Sequence, residues 1–353
     1  MKKTSSTSSQ GLFFGNLHNS ELENILVQYK SSQKIIIVDE NTHDYCLEYL
    51  ITSYEDLKDA EVILLPAGEQ NKVLEVCFQV WQALSEYQIK RNDLVINLGG
   101  GVVTDMGGFI ASVYKRGLNF INIPTSLLGM VDASVGGKTG IDLGSFKNQL
   151  GVFAFPELVI CDPGFLHTLP PVEFLSGKAE MLKHGLIADA EHWRRSLELN
   201  AENIKVDDIK KSVLIKKKIV DADPFERKER KKLNFGHTIG HALEGFLLEK
   251  NPHPHGFCVA WGMVTEAYLS FKEGILPESD FLEIQRGIHA NYPDLPIKEG
   301  DISHILHLMK NDKKNDDDTI NFNLIKAIGD VEANHTFAEK DVENAIINTL
   351  LNK

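Results

Sequence analysis

Basic residues are in short supply: 37 Lys and Arg stand against 50 Asp and Glu, a formal charge of −13 over 353 residues. No sequence-wide cationic field exists to gather nucleic-acid phosphates, so an anionic small ligand needs a local cationic pocket instead. Cysteine is also scarce. Cys46, Cys77, Cys161 and Cys258 form no CxxC pair and sit among apolar neighbours, which predicts reduced, buried thiols in a cytosolic protein. No apolar run approaches the ~18 residues of a membrane span. The N-terminal MKKTSSTSSQGLFFG has lysines but no apolar core long enough for a signal peptide. The expectation is a cytoplasmic chain of ordinary globular composition, 42% hydrophobic and 25% charged, with room for two domains.

Glycine is unevenly placed. Eleven of the 27 fall in the 50 residues from Gly99 to Asn148, where an even spread would put about four, and glycine serves where backbone takes positive φ or approaches a ligand closely. Asp105, Arg116, Thr125, Asp132, Lys138, Lys147 and Asn148 lie in the same stretch. Open backbone amides beside single cations describe a surface for a phosphorylated ligand. Two patterns here are decoys. Gly137-Lys138-Thr139 resembles the end of a P-loop, but the required earlier glycine is Asp132. Gly99-Gly100-Gly101-Val102-Val103-Thr104 fails as GxGxxG at its last position, although its context, a strand end opening a helix, suits a pyrophosphate.

The first half alternates buried strand patterns at 34–39, 60–66, 93–99, 118–124 and 158–162 with helical spacing at 72–88 and about 102–114. Continuous apolar runs suit a parallel sheet covered on both faces, with ligands at the carboxyl ends of its strands. After Pro170-Pro171 the pattern turns helical, near 172–192, 200–222, 230–248, 257–273, 278–290 and 338–351, with one extended piece at 319–329. The reading is an α/β domain over 1–168 followed by an all-α domain over 169–353, with the cleft between them as the default active site. No internal repeat is visible, and the charged runs at 210–218 and 312–318 read as solvated surface. Phe13, Phe14, Phe109, Phe120 and Phe246 are assigned to the core.

Eleven of the 13 histidines lie beyond residue 160, which places a histidine metal site in the second domain. His237 and His241 in NFGHTIGH share a helix face, while His253 and His255 sit in NPHPHG. Glu180 in KAEMLKHG has Lys183 and His184 within one helical turn. Two histidines and a carboxylate with open positions are what a catalytic zinc uses. A lone His or Glu on a helix is more often surface or core than ligand. Spacing alone makes His237 and His241 equal candidates and does not choose between His253 and His255.

The motifs GGGVVTD (99–105), YKRG (114–117), PTSLLGMVDASVGGKTGID (124–142), FKNQLG (146–151), KAEMLKHG (178–185), RKKLNFGHTIGHALE (230–244) and HGFCVAWG (255–262) together resemble the 3-dehydroquinate synthase family, over about residues 34–330. The resemblance implies a Rossmann-like NAD domain, a helical metal domain, and a homodimer. It implies conversion of 3-deoxy-D-arabino-heptulosonate 7-phosphate to 3-dehydroquinate and phosphate, by transient oxidation, phosphate elimination, re-reduction and aldol closure. By position, zinc (or cobalt) would take Glu180, His237 and His255, leaving His241 to face substrate. NAD would contact Asp39, Glu69, Lys72, Gly100, Gly101, Asp105, Thr125, Ser126, Lys138, Lys147, Phe165 and Thr168. Asp132, Lys138, Lys147 and Asn148 would lie where nicotinamide and substrate meet. Lys183, Lys216, Arg230, Asn234 and His241 would hold the substrate, and Arg116 would reach its phosphate from the partner subunit.

Three departures from the family pattern stand out. PTS replaces PTT and keeps a hydroxyl at Ser126. HGFCV replaces HGEAV, putting Phe257 where a carboxylate beside His255 is usual, which bears on support for the metal ligand. DPFERKER (223–230) keeps Glu226 and Arg230 but loses a Glu and a Gly, leaving that loop's shape open. Lys313 or Lys314 would reach the active site. The competing readings are a sister cyclase forming valiolone- or inosose-type rings, a metal-dependent polyol dehydrogenase, and a non-catalytic NAD-binding protein.

Overall fold

Isoleucine and valine at consecutive positions, as in Ile35–Val38, leave no polar face for water, so such a strand must be covered on both sides. The computed structural model, which describes residues 11–144, 146–248, 250–310 and 320–351, covers them in this way: all four side chains are fully buried. The chain divides into two compact units. One runs to Pro170 and includes Ile204–Lys210; the other comprises Pro171–Asn203 and Lys211 onward.

In the first unit, strands β1 (Gly11–Phe14), β2 (Lys34–Asp39), β3 (Glu61–Leu65), β4 (Leu94–Gly99) and β5 (Asn119–Pro124) precede an antiparallel hairpin, β6 (Lys138–Leu143) and β7 (Phe146–Phe153). Then follows β8 (Leu158–Cys161). Six of these strands form a parallel sheet in the order β1-β8-β5-β4-β2-β3. The chain steps outward from β2 to β3, then crosses back to β4 and on to β5. That reversal opens a crevice at the carboxyl ends of β2 and β4, the usual ligand position in such sheets. Asp39 ends β2 and Gly99 ends β4. The Gly101–Val113 helix follows β4 and packs Val103, Met106 and Ile110 on Ile35, Ile37 and Val95.

Beyond Pro170 the described residues form the helices Pro171–Ala188, Ala190–Leu197, Val206–Ala222, His237–Leu248, His255–Lys272, Glu278–Asn291, Ile302–Lys310 and Glu339–Ile346. They also form a hairpin of β9 (Ile320–Ala327) and β10 (Asp330–Phe337). The His255–Lys272 helix is the hub of this unit. Trp261, Val259, Met263 and Val264 are fully buried in one apolar cluster with Ile239, Leu243 and Ile284. It meets the His237–Leu248 helix backbone to backbone: a Cβ on Gly262 would lie 2.0 Å from the Gly236 carbonyl oxygen. Only glycine permits that approach, and it brings the histidines of the two helices together.

The strand readings at 34–39, 60–66, 93–99, 118–124 and 158–162 all correspond to strands of the sheet. The edge strand β1, the hairpin β6–β7, β10 and the Ile302–Lys310 helix are additional to the sequence reading. Phe109, Phe120 and Phe246 are buried as expected, whereas Phe13 and Phe14, on edge strand β1, are only partly so. All four cysteines are buried and unpaired. No helix among the described residues is long and apolar enough to cross a membrane.

Candidate active site

In the first unit the Gly101–Val113 helix starts at Gly100, and no side chain caps it. Its first amides are therefore available to an anion. A Cβ on Gly100 would lie 3.3 Å from Ser126 Oγ, which accepts the Gly129 N–H at 3.1 Å. Thr125 N–H donates to the Gly99 carbonyl at 3.0 Å. Asp39 uses Oδ1 to accept the Thr42 N–H at 2.8 Å, capping the helix after β2. Phe165 is buried and packs edge-on against Tyr49 at 5.3 Å, and Thr168 closes the same short helix.

Five of the predicted cofactor and substrate residues meet in one polar network. Lys72 Nζ donates to Asp105 Oδ2 and to Asn148 Oδ1, both at 2.7 Å. Lys147 Nζ donates to Glu69 Oε1 at 3.0 Å. Burial alone would lower the Lys72 pKa, but the carboxylates of Asp105 and Glu69 outweigh it and hold the ammonium charged. Lys138 opens β6 with an exposed side chain, and Asp132 lies half-buried on the Gly129–Ala133 turn. Arg116 is exposed on a tight turn where Lys115, Arg116 and Gly117 have φ of 48°, 67° and 113°.

In the second unit, Glu180 sits on the Pro171–Ala188 helix, fully buried, and neither carboxylate oxygen makes a hydrogen bond. Its neighbours are charged or basic. Lys183 forms an ion pair with it one turn on, His237 Nε2 lies 3.4 Å from Oε1, and His255 Nε2 lies 3.9 Å from Oε1. Burial would raise the Glu180 carboxyl, but Lys183 and His237 hold it well below the usual range. Burial and the Lys183 charge push His237 down to about 3, so its imidazole is neutral at pH 7. The ligand atoms of His237, His241 and His255 lie within 4.8 Å of one another. His253 instead bonds the Asn251 carbonyl at 2.7 Å.

The residue that sequence reasoning missed is Glu244. Its Oε2 lies 2.8 Å from His255 Nδ1, and it outweighs the effect of burial to raise the His255 pKa. A carboxylate on Nδ1 fixes the tautomer that presents Nε2 to a metal. Glu244 lies two helical turns from His237 on the same face, a spacing the sequence already contained. Phe257 packs edge-on against Tyr292 at 5.5 Å, so the usual carboxylate position has become packing.

Lys216 and Arg230 are buried cations, 6% and 3% exposed. Arg230 Nη1 donates to the Pro224 carbonyl at 2.7 Å. The altered loop is organised by Asp223, whose carboxylate accepts backbone N–H groups from Arg227, Lys228 and Arg230 at 3.0, 2.6 and 3.2 Å. Asn234 Nδ2 donates to Glu226 Oε1 at 2.7 Å. Lys313 and Lys314 lie outside the described residues.

The 3-dehydroquinate synthase N-terminal profile matches residues 62–176 and the C-terminal profile matches 177–315. A 3-dehydroquinate synthase of Parabacteroides distasonis is 40% identical over 328 residues, covering 92% of this chain and 93% of that protein. The chain belongs to the 3-dehydroquinate synthase family. The 3-dehydroquinate synthase of Clostridium acetobutylicum is 38% identical over 322 residues, covering 88% and 89%. Among solved structures, 2-epi-5-epi-valiolone synthase from Streptomyces hygroscopicus, with NAD+ and Zn2+ bound, superposes with a TM-score of 0.83. It is 25% identical and covers 99% of both chains. An iron-containing alcohol dehydrogenase from Thermotoga maritima shares the fold alone, with a TM-score of 0.65 and 15% identity over 97% of this chain and 98% of that one.

Proposed function

We infer that this protein is a 3-dehydroquinate synthase, converting 3-deoxy-D-arabino-heptulosonate 7-phosphate to 3-dehydroquinate and phosphate. The observation that carries the reading is Glu180: a fully buried carboxylate whose Oε1 faces the imidazoles of His237 and His255, with the Lys183 ammonium one turn away. One carboxylate and two imidazoles converging in a buried site make a donor set that suits zinc or cobalt. Glu180, His237 and His255 would hold the metal. Asp39, Glu69, Lys72, Gly100, Gly101, Asp105, Thr125, Ser126, Lys138, Lys147, Phe165 and Thr168 would hold NAD. When bound, NAD removes and returns a hydride at the substrate carbon whose hydroxyl the metal polarises.

The chain's own residues would bind and orient. Lys183, Lys216, Arg230, Asn234 and His241 supply cations and donors for the carboxylate, hydroxyls and phosphate of the substrate, with Asp132, Lys138, Lys147 and Asn148 at the reacting carbon. The leaving phosphate carries oxygens basic enough to take the neighbouring C–H proton. That leaves the protein mainly positioning and electrostatic work. In this reading residues 1–168 form the NAD-binding domain and 169–353 the metal and substrate domain. The protein is a cytoplasmic homodimer in which Arg116 reaches the partner's phosphate.

The test is metal content against turnover in Glu180→Ala and the wild type. The wild type should purify with, or take up, one divalent ion per chain and release phosphate from the heptulosonate phosphate. Glu180→Ala should lose both. A Glu180→Ala variant that turns over at the wild-type rate would refute the assigned site.

A further inference from the structure

Asp142 is a buried carboxylate, 8% exposed, to which the roles above give nothing to do. It sits where β6 and β7 lose register, between the pairs Ile141–Leu150 and Leu143–Phe146. Its backbone therefore leaves the hairpin ladder, and its N–H donates to the Lys72 carbonyl at 2.8 Å. Its side chain turns toward Lys147 and Asn148 near the start of β7. Oδ1 accepts the Asn148 N–H at 2.6 Å, and Oδ2 lies 3.5 Å from Lys147 Nζ.

Asn148 has φ of 51°, a left-handed conformation uncommon in side-chain-bearing residues, though asparagine adopts it more readily than most. The Asp142 bond to its amide helps to hold it there. With the backbone fixed, Asn148 Oδ1 accepts the Lys72 ammonium, which also pairs with Asp105. Lys147 is held between Asp142 and Glu69. One carboxylate thus ties the hairpin to the Glu69–Lys72 loop through its own N–H. The same side chain sets the direction of both Lys147 and Asn148.

We propose that Asp142 is the positioning residue for the Lys147–Asn148 pair, holding that ammonium and that amide in the geometry the reaction uses. The proposal rests on the synthase reading for its kinetic readout, and on the geometry alone for its effect on NAD binding. A purely structural staple would act on stability and leave no specific coupling to Lys147.

The experiment is a double-mutant cycle. Asp142→Ala, Lys147→Met and the double variant are compared for kcat, KM for the heptulosonate phosphate, NAD affinity by fluorescence titration, and Tm. Asp142→Ala should lower kcat/KM by about 10- to 100-fold, as removing a supporting partner does. The double variant should lose less than the product of the two single losses, because either single change already breaks the Asp142–Lys147 interaction. Asp142→Asn keeps an acceptor for the Asn148 amide and should recover part of the loss. If Asp142→Ala does not fold, the cycle is run with Asp142→Asn, whose missing charge acts on Lys147. Multiplicative losses in the double variant, or an Asp142→Ala protein within twofold of wild type in both kcat/KM and NAD affinity, would overturn the proposal. A wild type that releases no phosphate refutes the synthase reading instead, and the cycle is then decided on NAD affinity.

Discussion

The carboxylate on His255 Nδ1 comes from Glu244 on an adjacent helix, while Phe257, beside His255 in sequence, packs on Tyr292. Glu244→Ala should therefore weaken zinc binding by about 10- to 100-fold, read by competition with a fluorescent chelator, while Phe257→Leu should leave metal affinity nearly unchanged. A second residue-scale prediction concerns Asp223. Its carboxyl lies below the usual range chiefly because backbone N–H groups of Lys228, Arg227 and Arg230 bond the charged form. Since its folded value is depressed, the support it gives the Arg230 loop is complete above the unfolded value, about 4. That support is lost as pH falls through the lower folded value. Asp223→Ala should raise KM for the sugar phosphate by about tenfold and leave NAD affinity unchanged, as titration at pH 7 would show. Neither role was legible in the sequence. Both depend on which backbone amides and rings a carboxylate meets in space, and a motif names only the residues in contact with the ligand.

At the scale of elements, the histidine cluster exists because two helices touch through glycine. A Cβ at Gly262 would lie 2.0 Å from Gly236 O, and one at Gly240 would lie 3.0 Å from Val259 Cα. Gly262→Ala should destabilise the protein by about 3 kcal/mol and weaken metal binding, because spreading the helices separates His237 and His241 from His255. Urea denaturation and metal titration measure the two effects; an unaltered metal affinity would disconnect the packing from the site. The β6–β7 hairpin uses glycine in the same way, pairing Gly140 with Gly151, where an added Cβ at either would lie within 2.6 Å of a facing carbonyl oxygen. Five of the six parallel strands were legible because their apolar runs are continuous and bounded by turn residues. The hairpin was not, since glycines and lone polar residues erase the alternation that would announce it. Ile302–Lys310 carries the helical spacing Ile302, Ile305, Leu306 and Met309, all buried. At nine residues it is shorter than the span over which that period stands out.

For the molecule as a whole, the contrast is between a charge of −13 and the cations it buries. Lys72 in the first unit, and Lys183, Lys216 and Arg230 in the second, are each at most 6% exposed, whereas cations are ordinarily found at the surface. A parallel sheet with its ligands at the strand ends was legible from the apolar runs and glycine context, and Glu180 was legible as a candidate ligand, but the strand order that puts the reversal at β2 and β4 was not. Spacing left His253 and His255 equal, and the resemblance pointed to His255. The central claim is the synthase reading, and one assay tests it most directly. Purified protein is given 3-deoxy-D-arabino-heptulosonate 7-phosphate, and phosphate and 3-dehydroquinate are quantified with NAD, without NAD, and after chelation followed by zinc. Equimolar phosphate and 3-dehydroquinate, lost on omitting NAD or chelating and restored by zinc, is the predicted result. Absence of phosphate release from a protein that has bound both NAD and zinc would contradict it.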